Sequence, residues 1–478
     1  MCHSAAVQVA VVGAGVSGLV AAWWLLREDT AAQVSVLEAG PAVGGRLGLG
    51  DLGGNAVDAG ADAVSATPAV VGLLADLGLA DRVVAPALVA RRVLVSGRLR
   101  VLPAATVAGV PADLDALSRA GLLSRPGLAR ARLDAVLPTR ADVGDVSVGR
   151  FVAARMGREV ADRMVAPVLG ERYAGDLHRL SLAAALPELA AARAHGEAPG
   201  EAARRLLRSP DLAGDGWPRQ LSLVDGLGRL PEALATAVRS AGAQVRTRTT
   251  VRGLARTGEG RWRLEIGPAP RPQFLDVDGV VLAVPATVAA RLLRAVEPAA
   301  AALLDTVEAA SVSVVTLAYR RKDLAAGSLP AAGHLVVPAP GVPVRAVGYA
   351  SRRWAWLGAA LPDLELLRVS LGRHGEQALL QRDDADLVDL AATHVADTLG
   401  AAARPADGAV FRWGGALPQY TVGHPARARR VHGLLSGRGG LVLCGAALDG
   451  VGIDACLASG RSAATRLLAS RAGGTPLA

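Results

Sequence analysis

A glycine-rich turn between a buried strand and a helix constrains the fold of this chain more than any other feature. Residues 7–12 are rich in β-branched side chains and predict a strand buried on both faces, and residues 19–27 are helix-like. A second buried strand, residues 34–37, ends in Glu38. The order of strand, turn, helix, strand and acid predicts a Rossmann-like α/β unit. The turn itself reads Gly13-Ala14-Gly15-Val16-Ser17-Gly18.

Each part of this unit has a physical role in binding a dinucleotide. Gly13 allows a tight turn, Gly15 lets the backbone approach a pyrophosphate, and Gly18 lets the helix pack closely. The helix N-terminus offers free N–H groups and the positive end of its dipole to the phosphates. Glu38, with Ala39 beside it, is placed to accept hydrogen bonds from ribose hydroxyls. The alternative is a glycine-rich turn in an ordinary βα unit, but the complete pattern favours a dinucleotide.

A second glycine turn, Gly44-Gly45-Arg46, follows the acid closely. It resembles the GG motif of flavoproteins in the amine-oxidase and protoporphyrinogen-oxidase superfamily, which NAD-dependent dehydrogenases do not usually contain. The resemblance implies FAD as the cofactor, with Gly45 and Arg46 near its phosphates.

Further segments resemble the remaining flavin contacts of that superfamily. The loop Gly60-Ala61-Asp62-Ala63 resembles its second flavin loop, with alanines where proline and serine are usual, and an ordinary glycine turn is the alternative. The helix that follows residues 449–450 is expected to point its N-terminus at the flavin and to stabilise the negative charge of the reduced ring. The other contacts that the resemblance implies are Val251, with Thr250 as second candidate, Trp413, Val451, Gly452 and Ile453.

Alternating patterns along the chain predict three structural units. Residues 112–208 show little strand signal and contain five prolines that we interpret as helix breaks, whereas residues 280–284 form another buried strand. We therefore expect an α/β fold with a Rossmann-like FAD-binding domain, a mixed-sheet substrate domain and an inserted helical domain. Their boundaries are 1–70, 222–290 and 437–478 for the FAD-binding domain, 71–97, 209–221 and 291–436 for the substrate-binding domain, and 98–208 for the helical insert.

The segment Tyr173-Ala174-Gly175-Asp176 narrows the resemblance further. Together with the flanking residues 167–187, it resembles bacterial protoporphyrinogen or coproporphyrinogen oxidases, and general flavin amine oxidases lack it. The resemblance, which extends over residues 7–468, implies removal of six hydrogens from a flexible tetrapyrrole in three two-electron steps. Flavin N5 would accept each hydride, and molecular oxygen would reoxidise the flavin and form hydrogen peroxide. We expect no essential catalytic side chain, because no nucleophile, metal cluster or acid–base pair is evident.

Two porphyrinogens fit the resemblance. Coproporphyrinogen III is favoured over protoporphyrinogen IX because the chain resembles the soluble bacterial branch. The net charge of +9 also suits the four carboxylates of coproporphyrinogen III better than the two of protoporphyrinogen IX. The resemblance implies a role in haem biosynthesis. It therefore also implies a protein partner, ferrochelatase, which is the next enzyme of that pathway. Two other interpretations stay open: a flavin oxidase for amines or polyenes, and a non-catalytic flavin-binding protein.

Three residues are candidates for contacts with the substrate. Arg92, with Arg91 a close second, matches an arginine that meets a propionate in the family, since its planar fork suits a carboxylate; a solvated strand-edge arginine is the alternative. Arg368 lies in a strand that resembles a cavity wall, and an internal salt bridge is favoured over a ligand contact. Tyr420 and His424 belong to a segment that matches the family, but packing and local hydrogen bonding are favoured for both.

Charge and cysteine content restrict partners and compartment. The positive charge indicates either an anionic substrate or membrane surface, or only a solvated arginine-rich surface. Basic tracts interleaved with aromatic residues are missing from the sequence, which argues against nucleic-acid binding. Three scattered cysteines fit a reducing cytoplasm without a bound metal. We expect no transmembrane segment, with peripheral membrane contact and a monomer or homodimer both left open.

Overall fold

The computed structural model describes residues 6–87, 90–209, 219–324, 329, 333–339, 341–399 and 403–472. Most of the predicted 209–221 segment therefore lies outside the described residues. In chain order the strands are β1 (Gln8–Val12), β2 (Gln33–Leu37), β3 (Leu49–Leu52), β4 (Asn55–Asp58), β5 (Val64–Ser65), β6 (Val83–Val84), β7 (Arg92–Val95), β8 (Arg98–Val101), β9 (Thr106–Val107), β10 (Val110–Pro111), β11 (Gln220–Leu223), β12 (Gln244–Arg246), β13 (Val251–Arg256), β14 (Trp262–Ile266), β15 (Gln273–Val277), β16 (Gly279–Leu282), β17 (Ala309–Arg320), β18 (His334–Val336), β19 (Val344–Tyr349), β20 (Leu364–Leu371), β21 (Asp407–Pro418) and β22 (Leu441–Leu443).

The α-helices of the same described residues pack on these strands or form a layer of their own. In chain order they are α1 (Val16–Glu28), α2 (Pro68–Asp76), α3 (Leu114–Ala120), α4 (Arg125–Arg132), α5 (Val148–Met156), α6 (Arg158–Val160), α7 (Ala166–Tyr173), α8 (Leu182–Ala185), α9 (Pro187–Ala194), α10 (Pro199–Leu206), α11 (Arg229–Ser240), α12 (Ala286–Leu293), α13 (Pro298–Asp305), α14 (Ala350–Arg353), α15 (Ala355–Ala360), α16 (Asp384–Leu399), α17 (His424–Ser436) and α18 (Ile453–Ala472).

A five-stranded parallel sheet, in the order β12-β2-β1-β16-β22, forms the Rossmann-like part of the molecule. Its strands are continuously apolar because both faces are covered. In β16, Val281 packs into the core with α1, α11 and α18, whereas Val280 and Leu282 pack into the core with α12, α13 and α17. The first strand and helix, and the buried strand at residues 280–284, are confirmed.

A seven-stranded mixed sheet forms the second layer, in the order β21-β17-β20-β19-β18-β7-β8. The β18–β7 pair is parallel and the other pairs are antiparallel. Helix α16 covers one face, where Leu387 and Val395 pack on Val369 of β20. The predicted fold class, a Rossmann-like unit with a mixed-sheet unit and an inserted helical unit, is confirmed. The exact domain boundaries stay a prediction.

Helices α3 to α10 form the inserted layer, with a core that includes Val152 and Met164. The interpretation of its prolines as helix breaks is wrong for four of them, each in the first two positions of a helix: Pro126 in α4, Pro167 in α7, Pro187 in α9 and Pro199 in α10. Proline is favoured there because its missing N–H has no partner in the first turn. Throughout the described ranges, no helix is long and apolar enough to cross a membrane.

Candidate functional site

A continuous cavity of about 1340 Å³ extends from the first glycine turn to the mixed sheet. Small-molecule pockets usually measure about 300–1,000 Å³, so this one has room for a dinucleotide and a second ligand. Among the predicted site residues, Ala14, Gly18 and Tyr420 do not line it. Those that do are Gly13, Gly15, Val16, Ser17, Glu38, Ala39, Gly45, Arg46, Gly60, Ala61, Asp62, Ala63, Arg92, Val251, Arg368, Trp413, Val451, Gly452 and Ile453.

The three glycines of the first turn have different steric surroundings. Gly13 has φ +102°, and an added Cβ would lie 2.4 Å from the Ala283 carbonyl oxygen. A Cβ on Gly18 would lie 2.0 Å from the Gly13 carbonyl oxygen, so α1 packs directly on the turn. Around Gly15, by contrast, an added Cβ would meet nothing within 4 Å. Gly13 and Gly18 therefore shape the turn, and Gly15 leaves open the space that a pyrophosphate would occupy.

The second glycine turn packs against the first and completes one cradle. The Gly44 N–H donates to the Ala14 carbonyl oxygen at 2.8 Å. A Cβ on Gly45 would lie 3.2 Å from Gly15 Cα. Ala14 thus contributes to the cradle through its backbone, although its side chain is buried away from the cavity.

Glu38 is held at the tip of β2 by backbone donors. Its Oε2 accepts from the Ala14 N–H at 2.8 Å, and its Oε1 accepts from the Gly40 N–H at 2.7 Å. A carboxylate has about four lone-pair positions, so both oxygens keep capacity for ribose hydroxyls. The residues Thr250 and Val251, the two candidates for the adenine contact, line the same end of the cavity.

Arg46 provides positive charge at the middle of the cavity. Its Nη2 donates to the Gly415 carbonyl oxygen at 2.8 Å, and no carboxylate of the described residues lies within ion-pair distance. Burial lowers the pKa of this guanidinium, which reflects the cost of an uncompensated charge. A phosphate would relieve that cost. The open face of Gly15, the Glu38 carboxylate and Arg46 therefore fit a dinucleotide flavin.

The second flavin loop is fixed by an internal ion pair. Arg368 Nη1 lies 3.0 Å from the Asp62 carboxylate, and Arg353 lies 3.6 Å from it. Trp354 Nε1 also donates to Asp62 at 3.1 Å, and Arg368 donates to the Gly60 carbonyl oxygen. Burial alone would raise the pKa of Asp62, but the two arginines outweigh it and lower that pKa to about 2. This geometry agrees with the salt-bridge interpretation of Arg368.

Two further elements approach the flavin end of the cavity. Trp413 on β21 donates its Nε1 hydrogen to the Ala59 carbonyl oxygen at 3.0 Å, which holds the indole beside the loop. Val451 and Gly452 lead into α18, whose N-terminus begins at Ile453 and lines the cavity. The helix runs on to Ala472.

Tyr420 supports this helix from behind. Its hydroxyl donates to the Ala446 carbonyl oxygen at 2.7 Å and accepts from the Gly450 N–H at 2.8 Å. The ring stacks on His424 with 3.8 Å between centroids, and His424 Nε2 donates to the Leu448 carbonyl oxygen at 3.0 Å. The structure therefore agrees with a packing role for Tyr420 and with local hydrogen bonding for His424. It does not favour Tyr420 as a substrate contact, because the Tyr420 hydroxyl already bonds to the backbone and does not line the cavity.

Arg91 and Arg92 both line the cavity, but they emerge on opposite sides of β7. Arg92 is in register with His334, and Val93 faces the core of the helical insert. Arg91, one residue before Arg92, lies on the side of that insert, where its Nη1 is 3.9 Å from Glu171. Both arginines stay predicted carboxylate ligands.

The sequence profile of the flavin-containing amine oxidoreductases matches residues 16–468 of this chain. The chain belongs to this family. Membership makes the cofactor a flavin, in agreement with the cradle of glycine turns.

Relatives with curated names cover almost the full chain. The coproporphyrinogen III oxidase of Mycobacterium tuberculosis (strain H37Rv) is 33% identical over 464 residues, which is 96% of each protein. The protoporphyrinogen oxidase of Bos taurus is 30% identical over 494 residues, or 96% of this chain and 98% of that protein. A crystal structure of a candidate protoporphyrinogen oxidase from Exiguobacterium sp. 255-15 superposes with a TM-score of 0.84, at 25% identity, over 97% of this chain and 99% of that one.

Three residues of this flavin-containing oxidoreductase contribute to the cavity or its support, although the sequence pattern does not single them out. They are Asp58, Arg172 and Arg345. The sequence gives one local indication of these residues. Arg345 is a lone arginine in the apolar run of residues 342–349, and a buried charge there requires a partner. The partners of Asp58 and Arg345 lie more than 160 residues away in the chain, so no local pattern predicts them.

Asp58, at the end of the β3–β4 hairpin, joins that hairpin to the start of α11. Its carboxylate accepts from the backbone N–H groups of Leu227 at 3.2 Å and Gly228 at 3.0 Å. Burial raises the pKa of this carboxyl from 3.8 to about 6. The native protein thus holds a proton there that the unfolded chain releases between those two pH values.

We expect Asp58→Asn to favour the folded state increasingly as the pH rises from 4 to 7. Because the folded protein binds this proton more tightly than the unfolded chain, the contribution of wild-type Asp58 to the free energy of unfolding falls as the pH rises. The decrease amounts to about 3 kcal/mol between pH 3.8 and about pH 6. The amide of the variant does not titrate. Urea unfolding at pH 4, 5, 6 and 7 should therefore show that the free energy of unfolding of the variant, relative to that of the wild type, increases with pH. Asp51→Asn, on an exposed residue of β3, is the control. A difference independent of pH would contradict this expectation.

Proposed function

We propose that this protein is an FAD-dependent coproporphyrinogen III oxidase that uses molecular oxygen. The observation that supports this most directly is the continuous cavity, which joins a dinucleotide cradle to an arginine-rich wall of the mixed sheet. The M. tuberculosis relative, named coproporphyrinogen III oxidase, matches the chain over both ends of that cavity.

The reaction removes six hydrogens from coproporphyrinogen III and forms coproporphyrin III. It proceeds in three two-electron steps, and each step reduces one molecule of oxygen to hydrogen peroxide. When bound, FAD supplies the hydride acceptor. In each step a bridging carbon loses a hydride and a pyrrole nitrogen loses a proton.

The residues of the chain bind and orient in this proposal. Glu38 accepts the ribose hydroxyls and Arg46 neutralises a phosphate, because the Glu38 oxygens keep free lone pairs and Arg46 has no ion pair among the described residues. The N-terminus of α18, at Ile453, favours negative charge at the flavin end. No side-chain base is assigned.

The charge of the cavity favours coproporphyrinogen III over protoporphyrinogen IX. Eight arginines and six acidic residues line it. A substrate with four propionates gains more from this positive excess than one with two. The proposal includes a cytoplasmic location and transfer of the product to ferrochelatase.

A direct assay tests the proposal. The purified yellow protein is mixed with coproporphyrinogen III or protoporphyrinogen IX under oxygen, and porphyrin fluorescence and hydrogen peroxide are followed. We expect both porphyrins to form, coproporphyrin faster, with about three peroxides per porphyrin. Absence of fluorescence gain with either substrate would overturn the proposal in favour of a flavin-binding protein. Peroxide formation from a primary amine instead would identify an amine oxidase.

Arg92→Ala is expected to weaken substrate binding while FAD is retained. Within the described residues Arg92 has no carboxylate within 4.0 Å, so its fork is available to a propionate. A hydrogen bond to a charged group contributes about 1.5–3 kcal/mol, which predicts an increase of about tenfold or more in KM. Arg98→Ala, an exposed residue of the same hairpin outside the cavity, is the control. An unchanged KM would remove Arg92 from the site.

A further inference from the structure

Helices α7 and α18 approach each other at the flavin end of the cavity. Arg172, in the last turn of α7, lines the cavity together with Gly452 and Ile453. Its Nη2 atom lies 3.2 Å from the position that a Cβ on Gly452 would occupy. The guanidinium of Arg172 therefore lies close to the backbone that leads into α18, and Asp454 Oδ1 lies 2.4 Å from the same position.

This arrangement brings two positive groups to one space. The first turn of α18 presents unpaired N–H groups and the positive end of the helix dipole, and Arg172 adds a full positive charge. In the part of the chain that the structure describes, Arg172 has no ion pair or hydrogen bond, and its guanidinium carbon lies 5.7 Å from the ring centroid of its neighbour Tyr173. The adjacent Glu171 faces Arg91, and Asp454 in the first turn of α18 is beyond 4.0 Å. An anion between α7 and α18 would balance this charge.

A buried arginine fixes the turn that presents Arg172. Arg345 on β19 is 4% exposed, and its Nη1 donates to the carbonyl oxygens of Gly170 at 3.3 Å and Glu171 at 2.8 Å. Arg345 also lines the cavity, and its Nε hydrogen has no acceptor among the described residues. Burial lowers the pKa of this guanidinium to about 10, and the charge of Arg373 adds to that effect, whereas Glu171 and Glu376 oppose it only in part. Arg345 thus orders the last turn of α7 and adds a second, only partly balanced, positive charge to the same wall.

We propose that Arg172 is a specificity-determining residue that binds a propionate carboxylate of the substrate at the flavin end of the cavity, and that Arg345 is its positioning residue. This inference rests on the proposed function. A guanidinium fork binds a carboxylate through two parallel hydrogen bonds, and a neutral vinyl group offers it nothing. Coproporphyrinogen III has propionates at two positions where protoporphyrinogen IX has vinyl groups. Arg172 therefore favours the tetracarboxylate substrate.

The test compares the two substrates in Arg172→Leu, Arg172→Lys and the wild-type holoenzyme. We expect Arg172→Leu to lower kcat/KM for coproporphyrinogen III about tenfold or more and to change that for protoporphyrinogen IX less than threefold. Arg172→Lys, which keeps the charge without the fork, should be intermediate. Arg150→Leu, on an exposed arginine of α5 outside the cavity, should leave both values unchanged. Arg345→Met should lower the same substrate ratio as well as Tm.

Two further readouts separate the outcomes. Arg172→Leu should weaken the binding of coproporphyrin III, followed by its fluorescence, about tenfold, while the flavin reduction potential stays at the wild-type value. An unchanged substrate ratio and unchanged porphyrin affinity would overturn the inference. An equal loss for both substrates with a lowered potential would also overturn it, because Arg172 would then act on the flavin. Wild-type protein that oxidises neither porphyrinogen contradicts the proposed function, and porphyrin affinity then decides the role of Arg172 separately.

Discussion

Gly15→Ala is expected to yield a folded protein that has lost its flavin. Gly15 has φ −69° and ψ 173°, which any residue adopts, and its added methyl group would meet no atom within 4 Å. The methyl would instead occupy the open face of the cradle where the pyrophosphate approaches the backbone. Losing one or two hydrogen bonds to a charged phosphate, at about 1.5–3 kcal/mol each, predicts an increase of about 100-fold in the Kd for FAD.

Flavin absorbance per protein after purification, together with far-UV circular dichroism, measures both parts of this result. Gly18→Ala provides the contrast, because its methyl would lie 2.0 Å from the Gly13 carbonyl oxygen and must displace α1. That overpacking predicts a loss of about 1–3 kcal/mol in the free energy of unfolding in addition to flavin loss. Gly72→Ala in α2, which meets nothing within 4 Å and lies outside the cavity, is the matched control. A Gly15→Ala protein that purifies with a full complement of FAD would contradict the expectation.

The different surroundings of these glycines explain why so much of the cofactor end is predictable from sequence. The turn, the helix and the acid are consecutive, so their geometry follows from local backbone requirements and from the periodicity of the buried strands. The contact of Gly45 with Gly15 also joins residues that are close in the chain. Resemblance to flavoproteins extends the prediction to distant segments such as Trp413 and Ile453, which line the same cavity.

The substrate end is less predictable because it depends on long-range packing. Arg345 and Glu171 are 174 residues apart, and their hydrogen bond forms only because β19 packs on the end of α7. Alternation along β7 places Arg91 and Arg92 on opposite sides, but which side faces the insert depends on pairing with β18. Sequence patterns identify the arginines as candidates, and the fold decides their partners.

Arg368→Met is expected to destabilise the protein by about 3 kcal/mol and to weaken FAD binding. The Arg368 and Asp62 side chains are 13% and 18% exposed, and removing one partner of a buried pair typically costs about 3–5 kcal/mol. The lower end applies because Arg353 and Trp354 still face Asp62. Arg368 also donates to Gly60, so its loss frees the loop that lines the flavin end. Urea unfolding of the apoprotein and FAD titration measure the two effects.

A double-mutant cycle with Asp62→Asn separates an ion pair from a substrate contact. If the pair is structural, the double variant is less destabilised than the sum of the two single variants, with a coupling of about 1–3 kcal/mol. Arg263→Met, which breaks an exposed pair with Asp276 at 2.6 Å, should leave Tm unchanged, since solvent screens that pair. A substrate-binding Arg368 would give the opposite result: a raised KM for coproporphyrinogen III with unchanged stability and FAD affinity. The ion pair of Arg368 with Asp62 and its hydrogen bond to Gly60 favour the structural outcome, because both Nη groups already have a partner within the protein.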